Sequence, residues 1–357
     1  MSRGTVPNPA SGGRRRGVLL SLLLPALLLA ASKSEASEPL SRVDTVPCRR
    51  AVPECRELVA LGGGQFLPVF RTHPLSETNP SVVRAVIVVH GDNRNAHFAF
   101  ETMFLAASWA RVQDSTLIVS PHFQLAGVGP GPSEATWTSR GWKRGSESNR
   151  LVPDGTTVSS YAAVDRIVRI LGDSTRFPNL EAIVVAGHSA GGQYAHRFAA
   201  TSPVEDELPY LRFRYVVANP STYLYIGPER PTGDGRGFEI PDQRRCSDYD
   251  EWHYGLKNRA PYAVRLTEEQ IRDRLLNRDV IYLVGTGDVG TDALDMVCGA
   301  MLQGERRYQR GLNLFAYLNA FFPQHKHRLF EVPNVGHSSE GIYLSAMGLE
   351  SLFGRLH

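Results

Sequence analysis

Short apolar runs alternate with longer stretches of mixed polarity along most of the chain. The apolar runs are rich in β-branched residues and four to eight residues long, as is typical of buried strands. They predict strands over 82–89, 116–119, 182–186, 214–218, 280–284 and 328–332. Between them, the spacing of apolar residues predicts helices over 98–111, 158–171, 192–200, 302–318 and 344–352. This alternation indicates an α/β fold: a mostly parallel central sheet with helices on both faces.

Two long segments interrupt the alternation. Residues 125–157 are rich in Gly, Pro, Ser and Trp, and residues 226–278 form a still longer interruption. Segments of this length in a compact domain are often binding loops or lids, so we expect 226–278 to be a lid insertion over the carboxyl ends of the strands. Four aromatic residues in it are expected to offer apolar surface: Tyr249, Trp252, Tyr254 and Tyr262. The alternative is a surface excursion without a functional contact.

The N-terminal residues have the pattern of a secretory signal peptide. Three arginines at 14–16 precede an apolar stretch at 17–31, and small residues suited to cleavage follow. The stretch is shorter than the roughly 20 residues of a membrane span. We therefore predict a cleaved signal at 1–36, in preference to an uncleaved anchor, a polar lead-in at 37–57, and one domain over 58–357. The protein is expected in the periplasm or outside the cell.

Composition and charge exclude several classes of partner. The chain has 357 residues, of which 42% are apolar and 21% charged, an ordinary composition for a globular protein. Removing the five basic residues and one acidic residue of 1–36 lowers the formal net charge from +3 to −1. The mature domain thus gives no reason to expect binding to nucleic acid or to an acidic membrane surface.

Four cysteines in an exported chain favour two disulfides over a metal site, since no pair has C-x-x-C spacing. We prefer Cys48–Cys55, which closes a small loop, and Cys246–Cys298, which joins distant segments. Three pairings are possible, and the sequence does not choose among them. No metal and no cofactor are expected.

A motif suited to nucleophilic chemistry lies where one predicted strand gives way to the next helix. It reads GHSAG at 187–191. A serine hydroxyl must stand clear of the backbone to attack a carbonyl carbon, and a sharp strand-to-helix turn provides this exposure. Such a turn brings strand and helix close together, which requires small residues at Gly187 and Gly191. The flanking strand and helix favour Ser189 as a nucleophile over the alternative of a purely structural turn.

Candidates for the base and the acid follow later predicted strands. Asp288 ends a GTGD turn after one strand, and His337 follows the strand after that. Because the carboxyl ends of parallel strands meet at one edge of a sheet, we expect Ser189, Asp288 and His337 to lie together as nucleophile, acid and base. Asp292 and Asp295 are alternatives for the acid.

Four other histidines fit the role of base less well. His325 and His327 precede their strand rather than follow it. His188 and His196 lie on either side of Ser189 and are expected to be structural, since neither has partners that would make it a metal ligand.

Two backbone amides are expected to bind a developing oxyanion. One belongs to Ala190, at the start of the helix after the serine. The other follows the first predicted strand, where Gly91 lets the chain turn so that the amide of Asp92, with Asn93 as the alternative, faces the serine. The side chain of Asp92 is expected to point away or to bond to Arg94 or local backbone. A simple polar turn is the alternative for this segment.

With these residues, the chain resembles the α/β-hydrolase superfamily over 58–352. The resemblance rests on the His90-Gly91 strand end, the GHSAG elbow, the GTGD turn, the VGH segment and the order Ser, Asp, His along the chain. It is closest to exported, largely uncharacterised hydrolases in which an Asn-Pro-Ser turn, here at 219–221, follows the strand after the elbow, and in which a cysteine, here Cys298, follows the acid turn.

The resemblance implies a serine hydrolase that transfers an acyl group to water through Ser189. A carboxylic ester is the default substrate, because a serine nucleophile argues against dehalogenases and epoxide hydrolases. A small-molecule or lipid-like ester would suit aromatic groups at Trp137, Trp142 and Trp252. The alternatives are an amidase or peptidase with the same triad, and a non-catalytic binding protein of this fold. The oligomeric state stays open.

Overall fold

The computed structural model describes residues 47–127, 129–149 and 155–355. The predicted signal peptide at 1–36 and residues 37–46 of the predicted lead-in at 37–57 lie outside these residues. None of the helices in the described ranges combines the length and the apolar character that a bilayer span requires.

An eight-stranded sheet forms the centre of the described chain. The strands, in chain order, are β1 (Arg56–Gly62), β2 (Gln65–Arg71), β3 (Arg84–Val89), β4 (Thr116–Pro121), β5 (Ala182–His188), β6 (Arg212–Ala218), β7 (Arg230–Pro231), β8 (Phe238–Glu239), β9 (Val280–Gly285) and β10 (Arg328–Val332). The sheet order is β1-β2-β4-β3-β5-β6-β9-β10, and β7 pairs with β8 separately. The pairings β1–β2 and β2–β4 are antiparallel, and the others in the sheet are parallel. The predicted α/β fold class is confirmed.

The hairpin of β1 and β2 is not among the predicted strands. β1 mixes exposed and buried positions, with Leu58 45% exposed, and so lacks a continuous apolar run. β2 has an apolar run, but Pro68 in its middle argues against a strand in a sequence pattern. A two-strand edge of this kind carries a weaker sequence signal than a strand buried on both faces.

The helices are α1 (Ala96–Trp109), α2 (Ser160–Leu171), α3 (Ala190–Thr201), α4 (Val204–Glu207), α5 (Glu268–Asn277), α6 (Cys298–Met301), α7 (Arg307–Phe321), α8 (Ser339–Tyr343) and α9 (Ala346–Phe353). The prediction of one helix over 302–318 is wrong in its first turn, because Gly304 has a φ of 139° and separates α6 from α7. The last predicted helix, 344–352, corresponds to α9.

Helices cover both faces of the sheet, as predicted. Side chains alternate along β3, so Ile87 belongs to one apolar cluster and Val88 to the other. The first cluster includes residues of α2, α3, α5 and α7, and the second includes residues of α1, α8 and α9. The carboxyl edge of the parallel strands remains available for a site between these layers.

Residues 226–278 pack against the helical layer. Trp252 Nε1 donates to the carbonyl oxygen of Arg144 at 2.8 Å, and Tyr262 Oη donates to Asp165 Oδ2 at 2.5 Å. The expectation that this segment presents aromatic surface is wrong for its tyrosines: Tyr249, Tyr254 and Tyr262 are buried. Trp137 and Trp142 are also buried, so neither is available to a substrate at the surface.

Both preferred disulfides are present. Cys48 pairs with Cys55, and Cys246 pairs with Cys298 at the start of α6. The second bridge links the 226–278 segment to the chain that follows β9 and so closes a long loop.

Candidate active site

Ser189 lies at the turn between β5 and α3. Its backbone has φ 58° and ψ −118°, a conformation that only a tightly held turn imposes on a residue with a side chain. A Cβ atom on Gly187 would lie 2.1 Å from the carbonyl oxygen of Gly191, and one on Gly191 would lie 2.1 Å from that of Val89. Glycine is required at both positions because the backbones approach too closely for any side chain.

The structure brings the three predicted residues into one chain of hydrogen bonds. His337 Nε2 lies 2.9 Å from Ser189 Oγ, and His337 Nδ1 lies 2.7 Å from Asp288 Oδ2. The side chain of Asp288 is fully buried, and its Oδ1 atom lies 3.5 Å from Arg307 Nη1. Because the carboxylate accepts a hydrogen bond from Nδ1–H, Nε2 is the nitrogen that can accept the serine proton.

The alternative acids and bases lie elsewhere. Asp292 is exposed, and Asp295 accepts a hydrogen bond from Tyr254 Oη at 2.8 Å. His327 Nε2 contacts the carbonyl oxygen of Leu275 at 2.6 Å, and His325 Nε2 contacts Asn319 Oδ1 at 3.1 Å. None of these groups is hydrogen-bonded to Ser189 or His337 in the part of the chain that the structure describes.

The two histidines that flank the elbow have different surroundings. The ring of His188 lies 4.6 Å from that of His337, centroid to centroid, and lines the same cleft. Burial, and then the nearby charges of His337 and Arg307, hold the pKa of His188 well below 6.5, so its ring is neutral. His196 is buried within the helical layer, where its Nε2 atom lies 3.1 Å from Tyr282 Oη.

Neither the Asp92 N–H nor the Ala190 N–H donates a hydrogen bond to a protein acceptor among the described residues. Both backbone amides of the expected oxyanion site therefore lack a protein partner within these ranges. Asp92 lines the cleft beside Ser189. The preceding His90 holds this turn, since its Nδ1 lies 2.8 Å from the carbonyl oxygen of Gly91 and its Nε2 accepts from the Phe123 amide at 3.1 Å. Burial lowers the pKa of His90 to about 3, so the ring is neutral and can make both bonds.

The side chain of Asp92 is not bonded to Arg94, as had been one expectation. Asp92 Oδ1 instead forms an ion pair with Lys143 Nζ at 2.7 Å. Arg94 reaches over the next loop, where its guanidinium donates to the carbonyl oxygens of Phe123 at 2.9 Å and Thr138 at 2.7 Å. Residues of the 125–157 segment therefore brace the turn that carries the Asp92 amide.

A cleft of about 350 Å³ opens beside Ser189. Its apolar wall includes Phe98, Ala99 and Tyr343, and its polar wall includes Asp92 and Glu340. No lysine or arginine and no residue of 226–278 lines it among the described residues. Within the same described ranges, no group of three or more His, Cys, Asp or Glu side chains has the arrangement of a metal site.

Three contacts of the site were not predicted from the sequence. Arg307 approaches Asp288 from the start of α7, Lys143 pairs with Asp92, and His90 joins two loops. The first two are ordinary basic residues whose partners lie 19 and 51 positions away. His90 differs from them, because it comes directly after the buried strand β3, at the edge of the sheet where site residues are expected.

No family model matches the sequence, and no curated protein matches it. The chain is, however, similar to solved structures. Poly(aspartic acid) hydrolase-1 from Sphingomonas sp. KT-1 is 22% identical, with a TM-score of 0.57, over 82% of this chain and 96% of that chain. LpqC, a poly(3-hydroxybutyrate) depolymerase from Bordetella parapertussis, is 23% identical, with a TM-score of 0.58, over 85% of this chain and 91% of that chain. These similarities show that the chain has the α/β-hydrolase fold, as the resemblance in sequence implied.

Proposed function

We propose that the protein is a serine hydrolase that cleaves carboxylic esters through an acyl-enzyme on Ser189. The observation that carries the proposal is the hydrogen-bonded series from Ser189 Oγ to His337 Nε2, at 2.9 Å, and from His337 Nδ1 to Asp288 Oδ2, at 2.7 Å. Both distances are within the range needed for proton transfer and for orientation of the imidazole.

In the first half of the proposed reaction, Ser189 Oγ forms a bond to the carbonyl carbon while its proton passes to His337 Nε2. The carbonyl oxygen becomes an oxyanion, held by the amides of Ala190 and Asp92. When the tetrahedral intermediate collapses, the bond to the alcohol oxygen breaks, and the alcohol takes the proton from His337. Asp288 keeps the imidazole in its orientation and stabilises its charged form.

In the second half, water replaces the alcohol. It gives a proton to His337 Nε2 as its oxygen attacks the acyl carbon, and the second tetrahedral intermediate releases the carboxylic acid. The proton returns to Ser189 Oγ, which restores the starting state. Atoms balance as ester plus water giving acid plus alcohol, and no metal or redox partner takes part.

The cleft supports an uncharged ester as the substrate. Phe98, Ala99 and Tyr343 offer apolar surface to an acyl or alcohol group, whereas Asp92 and Glu340 are the charged side chains in the lining. Lys143 offsets the charge of Asp92, so a substrate carboxylate would meet charge of its own sign at Glu340. Hydrolysis is also the activity named for the two similar structures, one acting on a polyester and the other on a poly(amino acid).

We propose in addition that the protein acts outside the cytoplasm. Two disulfides suit an oxidising compartment. The signal peptide predicted at the N-terminus would direct export of the chain to such a compartment.

The test is hydrolysis of p-nitrophenyl esters of increasing acyl length by the mature protein and by Ser189→Ala. Turnover by the wild type and its loss in the variant are expected, with residual activity no more than about 10⁻³ of the wild type. Ser108→Ala is the matched control, because among the described residues this hydroxyl donates to the Phe104 carbonyl oxygen inside α1 and not to a group of the site. Full activity in Ser189→Ala would refute the proposed nucleophile.

A fluorophosphonate probe and anilide analogues of the best ester separate the other activities. Anilides cleaved faster than the matching esters would identify an amidase. A protein that neither turns over substrate nor is phosphonylated at Ser189 would belong to the non-catalytic binding class.

A further inference from the structure

Asn219 joins three strand ends at the carboxyl edge of the sheet. It follows β6, is 1% exposed, and has a φ of 42°. Its side-chain Oδ1 accepts a hydrogen bond from the Gly285 amide at 2.8 Å, and its Nδ2 donates to the Gly336 carbonyl oxygen at 3.3 Å. Both polar atoms of one buried side chain are therefore bonded to backbone on two different loops.

These two loops carry the proposed acid and base. Gly285 begins the turn that ends at Asp288, and Gly336 directly precedes His337. The loops also contact each other, since the Gly287 amide donates to the Val335 carbonyl oxygen at 2.9 Å. The side chain of Asn219 thus anchors a preassembled pair of loops to β6.

The same short segment holds the proposed nucleophile. The Ser189 amide donates to the carbonyl oxygen of Ala218 at 2.9 Å, and Ala218 directly precedes Asn219. Two adjacent residues at the end of β6 are therefore bonded to Ser189, through the backbone oxygen of Ala218, and to the backbone shortly before Asp288 and His337, through the side chain of Asn219.

We infer that Asn219 is a positioning residue that sets the location of Asp288 and His337 relative to Ser189. The inference rests on the proposed function. Asparagine suits the role because it tolerates a positive φ and supplies one acceptor and one donor at a short reach. Aspartate keeps the acceptor but lacks the donor, and glycine keeps the backbone conformation but lacks both.

The test compares Asn219→Gly and Asn219→Asp with the wild type, in ester hydrolysis at a temperature well below unfolding. Because displacement of about 1 Å can cost about 100-fold in rate, kcat is expected to fall roughly 10- to 100-fold in Asn219→Gly, with KM changed by less than about threefold. Phosphonylation of Ser189 by a fluorophosphonate should slow in the same proportion. Asn219→Asp should lose rate as well, because the bond to the Gly336 carbonyl oxygen is replaced by repulsion.

Asn79→Ala is the matched control. Asn79 is also buried, and its Nδ2 donates to the carbonyl oxygens of Pro74 and Glu77, but it lies before β3, at the opposite edge of the sheet. This variant should lower the unfolding temperature and leave kcat unchanged. A loss of stability without loss of rate is what a merely structural asparagine would show.

The outcomes separate this inference from the proposed function. If Ser189→Ala retains full activity, the proposed function fails. If Ser189→Ala is inactive while folded Asn219→Gly has the kcat and the labelling rate of the wild type, only the role of Asn219 is overturned. Should the glycine variant not fold, wild-type kcat in folded Asn219→Asp overturns it equally.

Discussion

The Nδ1 atom of His337 lies 2.7 Å from the Oδ2 atom of Asp288, although 49 positions separate the two residues along the chain. The carboxylate is fully buried, and its other oxygen faces the guanidinium of Arg307. Asp288 therefore links an imidazole at the cleft to a buried cation behind it, and its charge matters to both partners.

Replacing Asp288 by asparagine should reduce kcat by about 10³- to 10⁴-fold, because an amide can present its NH₂ group to Nδ1 and favour the wrong imidazole tautomer. Arg307 would also lose its buried counter-charge, so the free energy of unfolding should fall by about 3 kcal/mol. Kinetics with the best ester and chemical denaturation measure the two effects. Asp292→Asn is the control, since this exposed carboxylate should be replaceable without either loss.

The close approach of the backbone at the GHSAG turn predicts opposite effects on stability for two glycine-to-alanine variants. In Gly187→Ala the new Cβ would lie 2.1 Å from the Gly191 carbonyl oxygen, whereas in Gly237→Ala it would meet no atom of the described residues within 4 Å. The first substitution should lower the free energy of unfolding by about 3 kcal/mol or more and abolish labelling of Ser189, because strand and helix must separate. The second should change stability by less than about 0.5 kcal/mol. Equal unfolding temperatures for the two variants would contradict the close approach at the elbow.

His90 is expected to matter for both rate and stability. His90→Ala removes the bonds to the Gly91 carbonyl oxygen and the Phe123 amide and leaves the latter buried without a partner, at a cost of about 2–4 kcal/mol. The turn that carries the Asp92 amide would loosen, so kcat should fall roughly 10- to 100-fold. His97→Ala, at an exposed position in α1, is the control. Unchanged kcat in a folded His90→Ala would show that the turn keeps its geometry without the imidazole.

Stability should fall as the pH drops below about 7.5. Burial lowers the pKa of five histidines from 6.5 to about 3 or 4: His73, His90, His122, His253 and His327. Between these values the unfolded chain binds protons that the folded chain does not, and each full proton of difference removes about 1.4 kcal/mol per pH unit. Because half of these histidines are already protonated in the unfolded chain at pH 6.5, stability from this source is complete only above about pH 7.5. It is lost progressively as the pH falls toward the folded-state pKa values of about 3 to 4.

Thermal unfolding at pH 7.5, 6.5, 5.5 and 4.5 measures this effect. The unfolding temperature should decrease between the first two values and then decrease more steeply with each further step. A constant unfolding temperature down to pH 4.5 would mean that the folded protein protonates these histidines as readily as the unfolded chain.

Local signals in the sequence were sufficient for the central strands, for the strand-to-helix turn and for the need of glycine at 187 and 191. Each depends on neighbours a few positions away: apolar periodicity marks a buried strand, and close approach of the chain to itself demands a missing side chain. Asp288 and His337 were predicted as partners of Ser189 because each follows a strand, and the carboxyl ends of parallel strands lie at one edge of the sheet.

Tertiary structure alone decided which distant side chains meet. The contacts of Arg307 with Asp288, of Lys143 with Asp92 and of Asn219 with two loops depend on the order of strands in the sheet and on how the helices cover it. It also decided that 226–278 packs its tyrosines into the helical layer instead of lining the cleft with them. The spacing of apolar residues indicates which face of a helix or strand is buried. The packing of the whole domain determines which other element that face contacts.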